Sequence, residues 1–238
     1  MRIKAIFFDV GGTLYKEKKF KTPPWAIILA NYLKKQGISV SWNEIYQAYV
    51  SSKEYLGTLN VEGTELWHLN ILLLTFSKLN LSLNPSLIME AYDVFLNSLV
   101  NIMEPYEDVQ ETLKCLKEKG LKIGVISNTG SHYLIYKVLK RDGLLKYIDL
   151  LVTSQMVSWR KPDRRIFLYA CRLLNVKPSE CVHVGNDPVA DVMGAKNAGL
   201  KVVQKLTPHT SRSSLADAVV SNLGELITVI EKFLDYTI

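Results

Sequence analysis

Cysteine is scarce in this chain: 3 among 238 residues, at Cys115, Cys171 and Cys181. An odd count at scattered positions excludes a disulfide framework, and none of the spacings suits a metal site. Long apolar runs are missing as well. The longest, around Trp25–Leu33 and Asn70–Phe76, fall well short of the ~20 residues that span a bilayer, so no membrane partner is expected. The first residues enter a strand directly, with no signal-peptide pattern. Together with the unpaired thiols this leads us to expect a cytoplasmic protein. No internal repeat or low-complexity segment is present. The formal charge of +6 comes with two basic clusters, Lys16 to Lys21 and Arg160 to Arg165. Neither is interleaved with exposed-looking aromatics, so no nucleic acid is expected, and a basic surface around an anionic site is the better account.

What is present is the material of a globular fold: 48% hydrophobic and 22% charged residues. The length suits one large domain, or one domain carrying an insertion. The chain is organised around its first strand. Ala5 to Phe8 is a short apolar run of buried-strand character, and it stops at Asp9, followed at once by Val10-Gly11-Gly12-Thr13. In an open parallel sheet the carboxyl end of a central strand faces the ligand crevice. A carboxylate beside a loop of small residues can present itself together with free backbone N–H groups, an arrangement suited to phosphate, a metal or a nucleophilic role.

From about Thr22 to Asn101 the apolar residues recur at helical spacing. Pro23-Pro24 opens a helix through Trp25 to Leu33 that Gly37 ends. Ser41 and Glu44 form a capping box. Further helices are predicted over Thr64–Leu79 and Pro85–Leu99. The aromatics Trp25, Trp42, Trp67, Tyr46 and Tyr49 read as packing. From Glu107 helix and strand alternate. Helices are predicted at Asp108–Lys119, Tyr133–Leu139, Asp163–Leu174, Val192–Ala198 and Leu223–Leu234, and strands at Leu121–Ser127, Tyr147–Val152, Cys181–Val184, Leu200–Val203 and Ala218–Val220. This alternation predicts an α/β fold, a Rossmann-like parallel sheet with helices on both faces, carrying a small all-helical module.

Four strand-end loops then share one edge of the sheet. They hold Asp9 and Thr13; Ser127-Asn128, where a hydroxyl and a backbone N–H can grip a phosphate oxygen; Lys161 at a helix start; and Gly185-Asn186-Asp187 with Asp191. Each has an ordinary alternative: a turn for Ser127-Asn128, a solvated helix start for Lys161, a helix cap and first-turn residue for Asp187 and Asp191. Their order and shared edge make the combination specific.

With these four segments the chain resembles the haloacid dehalogenase-like hydrolases over its whole length. The resemblance implies a hydrolase core at residues 1–15 and 103–238 and a helical cap domain at 16–102. It implies Asp9 as nucleophile forming an aspartyl-phosphate, with Gly12, Thr13, Ser127, Asn128 and Lys161 binding the phosphoryl group. Mg²⁺ would be held by Asp9, the Gly11 carbonyl, Asn186, Asp187 and Asp191. The chemistry is coherent, since Mg²⁺, a lysine and backbone amides offset the phosphoryl charge. The implied function is Mg²⁺-dependent hydrolysis of a small phosphorylated metabolite.

Two positions depart from the family pattern. Gly11 stands where its phosphatases carry an acid/base aspartate, and Glu65 or His68 of the cap are candidates to replace it. Asn186 stands where many relatives have the first acid of the fourth motif, which shifts the metal load toward Asp187 or Asp191. Two other readings share these motifs: a catalytically weak relative that binds a phosphorylated ligand, and a 2-haloacid dehalogenase. The acidic pair Asp187/Asp191 and the small Gly11 argue against the dehalogenase.

Overall fold

The computed structural model describes residues 3–59 and 65–235. Strand β1 (Ala5–Phe8) lies fully buried at the centre of a six-stranded parallel sheet. The chain then forms β2 (Tyr15–Glu17) and four helices, α1 (Pro24–Lys35), α2 (Trp42–Leu59), α3 (His68–Lys78) and α4 (Pro85–Ile102), before β3 (Met103–Pro105). Antiparallel β2 and β3 pair Tyr15 with Pro105 and Glu17 with Met103. The chain therefore leaves the sheet and returns to it through one two-stranded ribbon.

The rest alternates: α5 (Val109–Glu118), β4 (Lys122–Ser127), α6 (His132–Arg141), β5 (Leu150–Thr153), α7 (Ser154–Val157), α8 (Arg164–Leu173), β6 (Cys181–Gly185), α9 (Gly194–Asn197), β7 (Lys201–Lys205), β8 (Ala218–Val220) and α10 (Gly224–Asp235). The strand order is β5-β4-β1-β6-β7-β8. β1 is hydrogen-bonded to β4 on one side and β6 on the other, with Phe8 level with Val125 and Val184. All three strand ends therefore meet at one edge.

Alternate side chains of β1 serve opposite layers. Ala5 and Phe7 pack with Ile166, Phe167, Val192 and Val202. Ile6 and Phe8 join a cluster that continues through Val125, Leu134 and Val138 into Leu29, Leu33, Phe95 and Leu96 of the inserted helices. One apolar body thus ties the insertion to one face of the sheet.

Local signals hold where expected. Glu44 N–H donates to Ser41 Oγ (3.2 Å) and Ser41 N–H to Glu44 Oε2 (2.8 Å), completing the box. Three expectations need correction. The helix predicted from Thr64 begins at His68. Thr64 lies outside the described residues, and Glu65 to Trp67 run non-helically across the sheet-end loops. The strand predicted from Tyr147 begins at Leu150, after a short 3₁₀ turn at Leu145–Tyr147. The segment read as a loop from Gly185 to Asp191 winds into a wide π-type turn over Pro188–Met193, so Asp191 sits inside a helical turn. Among the described residues no helix is long and apolar enough to cross a membrane.

Candidate active site

The sheet's carboxyl edge gathers a buried charge cluster. Asp9 follows β1 and its N–H donates to the Val184 carbonyl (2.9 Å). Lys161, from the loop before α8, donates from Nζ to Asp9 Oδ1 (2.6 Å), Asp191 Oδ1 (2.6 Å) and the Ile126 carbonyl (2.9 Å). An ammonium has three N–H bonds, and all three are used. Asp9, Lys161 and Asp191 are 7%, 4% and 1% exposed, so bulk water screens none of these charges.

One lysine faces two carboxylates, and the three pKa values follow. Burial raises Asp9 most, with the Asp191 charge adding to it and Lys161 opposing, to about 6. Burial also works against ionised Asp191, but Lys161 and a hydrogen bond from His183 outweigh it and hold the carboxyl well below its usual range. Burial opposes the Lys161 cation, yet Asp191 and Asp9 together push its pKa up. The excess negative charge therefore resides on Asp9.

Asp191 is fixed from further sides. His183 Nε2 lies 3.0 Å from Asp191 Oδ1, and the Asp187 N–H donates to Oδ2 (3.0 Å). A Cβ on Gly185 would fall 2.2 Å from Asp191 Cγ, so only glycine admits the carboxylate there. Asp187 Oδ1 accepts from the Val189 and Ala190 N–H groups (2.8 and 2.7 Å), capping the turn that carries Asp191.

The remaining motif residues converge around this cluster. Asn128 makes a two-way clamp on the Lys161 main chain: Nδ2 donates to the Lys161 carbonyl (2.9 Å) and Oδ1 accepts from its N–H (2.8 Å). Its amide is occupied holding the lysine loop. Ser127 ends β4 and is buried. Thr13 Oγ1 donates to Asn186 Oδ1 (3.3 Å). Gly12 has φ +81° and lies so close to the Asn186 amide that a Cβ would come within 2.6 Å. A Cβ on Gly11 would meet nothing within 4 Å.

Two participants, His183 and Lys205, stand outside the sequence expectations, and Arg160 of the basic cluster gains a specific partner. His183 is the polar member of an apolar strand just before the fourth motif. Lys205 ends β7 at the same sheet edge; its Nζ donates to the Gly12 carbonyl (3.2 Å) and sits 3.6 Å over the Tyr106 ring. Arg160, next to Lys161, bonds Glu65 Oε1 (2.6 Å), while Ser154 Oγ donates to Glu65 Oε2. Both oxygens of Glu65 are thereby engaged.

Between the motif loops and the inserted helices lies a cavity of about 480 Å³ lined by Gly11, Ser127, Asn128, His68, Trp25 and Phe95 among others. The His68 N–H donates to the Gly130 carbonyl (2.9 Å), stitching the insertion to the loop after β4. Burial, with the Lys53 charge adding, lowers His68 to about 4, so its imidazole is neutral at pH 7. A wider depression of about 1060 Å³ lies at the opposite, amino-terminal edge beside Lys4 and Glu180, and no motif residue lines it.

Comparison with known proteins agrees with this geometry. A glyceraldehyde 3-phosphate phosphatase of Methanothermobacter thermautotrophicus is 30% identical over 231 residues, 94% of this chain and 98% of that protein. The crystal structure of an HAD phosphatase from Thermococcus onnurineus superposes with a TM-score of 0.68 at 29% identity, covering 96% of this chain and 98% of that one. A 2-haloacid dehalogenase from Pseudomonas syringae shares the fold (TM-score 0.73, 24% identity, 97% and 99% covered). The family description "haloacid dehalogenase-like hydrolase" matches residues 3–199. With its four motif loops gathered on one sheet edge, the chain belongs to the haloacid dehalogenase-like hydrolases.

Proposed function

We propose that this protein is a Mg²⁺-dependent phosphatase that transfers the phosphoryl group of a small metabolite to Asp9 and then to water. One observation carries the reading. Lys161 holds the Asp9 carboxylate by one oxygen, Oδ1, which fixes and aims it at the sheet edge where the phosphoryl group would arrive. Phosphatase activity accords with the named activity of the 30%-identical relative. Its substrate class, a small sugar-type phosphate, suits a cavity of about 480 Å³.

Lys161 then serves two functions. It aims the nucleophile, and its charge offsets the phosphoryl oxygens as they approach. Ser127, at the end of β4, contributes its hydroxyl to the phosphoryl group, while the Gly12 and Thr13 N–H groups are bonded to the Tyr15 and Val10 carbonyls and shape the loop. Asn128 acts by holding the Lys161 loop, with only its main chain left for phosphate.

The donor set suits Mg²⁺. Among the described residues no three His, Cys, Asp or Glu side chains converge as a metal cage. Few protein oxygens, completed by water and phosphate, is the mode Mg²⁺ favours. The Asp9 carboxylate, the Gly11 carbonyl and Asn186 Oδ1 would hold the ion, and it would supply charge neutralisation at the phosphoryl oxygens. Asp191 and Asp187 are committed to Lys161, His183 and the helical turn, and we assign them to support rather than direct ligation.

The insertion, residues 16–102, serves as a cap over a core of residues 1–15 and 103–238. The β2–β3 ribbon sits at both junctions, and a closed cap excludes bulk water from the reaction. The three free thiols suit a reducing cytoplasm. Hydrolysis of p-nitrophenyl phosphate and acetyl phosphate, with Mg²⁺ or EDTA, in wild type and Asp9→Asn, tests the reading. Turnover requiring both Mg²⁺ and Asp9 supports it. Phosphate binding without turnover would move the assignment to a ligand-binding relative.

A further inference from the structure

Two of the chain's three cysteines meet in the apolar layer that holds Ala5 and Phe7. Cys171, near the end of α8, and Cys181, the first residue of β6, place their Sγ atoms 3.7 Å apart. The tight turn between them brings them together: the Val176 N–H donates to the Cys171 carbonyl (3.0 Å), and Asn175 takes φ +53°. Cys181 in turn sits level with Ala5 of β1. Helix and strand thus fix both main chains. A disulfide needs its sulfurs about 2.05 Å apart, an approach of about 1.7 Å that rotation of the two side chains can supply.

Cys171 and Cys181 are 2% and 0% exposed, but Cys171 lines the depression of about 1060 Å³ at the amino-terminal edge. That depression takes no part in the active site. Its charged lining residues are Lys4, Arg165, Arg172, Lys177 and Glu180, four cations against one anion, a setting that favours a thiolate at its edge. A hydrogen bond with Cys181 lowers the Cys171 pKa against the opposing effect of burial, and the same bond raises that of Cys181. Cys171 is therefore the sulfur that attacks and Cys181 the one that resolves. Burial this deep admits a small oxidant and excludes a protein one.

We propose that Cys171 and Cys181 form a redox modification site that hydrogen peroxide closes into a disulfide, fastening α8 to β6. The Cys171 thiolate attacks the peroxide O–O bond, keeping one oxygen as a sulfenic acid and releasing the other as water. The Cys181 sulfur then displaces the sulfenic oxygen, again as water. The two thiols lose two electrons to the peroxide, and their protons leave in the water formed. In a reducing compartment the pair rests as the dithiol. α8 follows the Lys161 loop and β6 leads to Asp191, so the bond joins the two elements that carry this ion pair. Neither step depends on the phosphatase reading.

The test treats the reduced full chain with millimolar hydrogen peroxide, labels the remaining thiols with N-ethylmaleimide after unfolding, and reads the peptides by mass spectrometry without reduction. Cys171 and Cys181 should appear as one cross-link within a monomeric chain, and Cys115 should carry the label. Dithiothreitol should restore all three thiols. Closing a ring over 10 positions should make the oxidised chain melt about 5–10 °C above the reduced one. Cys115→Ala should keep that gap and Cys181→Ala should abolish it. Labelling of all three thiols, a cross-link through Cys115, or sulfinic acid at Cys171 with Cys181 still labelled would overturn the site. A cross-linked chain that melts no higher than the reduced one would overturn its fastening role.

Discussion

Asp9→Asn should make the protein more stable while removing its activity. Asp9 titrates near 6 in the folded chain against an ordinary 3.8, mainly because burial penalises its charge. That difference is worth about 3 kcal/mol. Because the folded carboxyl holds its proton more tightly than the unfolded one, it favours folding in acid. This contribution disappears as pH rises from about 4 through about 6. At pH 7.5 the charged Asp9 thus leaves the native state about 3 kcal/mol short of what an uncharged isostere would give. Asparagine keeps the shape and can still accept from Lys161, which then pairs one-to-one with Asp191. For a chain of this size 1 kcal/mol corresponds to roughly 2–4 °C, so the variant should melt about 6–12 °C higher. Urea unfolding with EDTA present, at pH 7.5 and pH 4.5, measures it: a gap of up to about 3 kcal/mol at the higher pH should narrow to about 1 kcal/mol at the lower. A less stable variant, or a gap that ignores pH, would refute the charge argument.

Lys161→Met should cost about 3–5 kcal/mol in urea unfolding, since it strands two buried carboxylates, and should abolish turnover. Gly11→Asp finds open space for its side chain; phosphatase kcat should rise by about 10²-fold if acid–base help is what the site lacks, and an unchanged rate would show that another group already serves. Gly185→Ala should destabilise the fold by about 1–3 kcal/mol through overpacking against Asp191, with kcat falling at least tenfold as the lysine network is displaced.

Features encoded locally could be read from the sequence. Ala5–Phe8 is a strand because four apolar residues end in Asp-x-Gly-Gly, and Ser41-Glu44 starts a helix because two side chains close on each other. The four strand-end loops were identifiable because topology alone brings strand ends to one edge. What could not be read depends on contacts across long separations. Nothing near Asn128 says that its amide clamps a residue 33 positions on. Nothing near Glu65 says that it pairs with Arg160, which draws Glu65 to Trp67 across the core loops and delays the helix to His68. Gly185–Asp191 reads as a loop in the sequence, whereas in the structure Asp187 caps a turn over Pro188–Met193 and Asp191 rides on it. His183 was hidden by its apolar neighbours, though a histidine in a strand leading into an acidic motif is a usable signal.

The most direct test is chemical capture of the phosphorylated aspartate. The wild-type protein, mixed with acetyl phosphate and Mg²⁺ and quenched in acid, is reduced with borohydride, which converts an aspartyl-phosphate to homoserine. Peptide mass spectrometry should then find homoserine at position 9 and nowhere else, and none when EDTA replaces Mg²⁺. Turnover that proceeds while Asp9 stays unmodified would contradict the account.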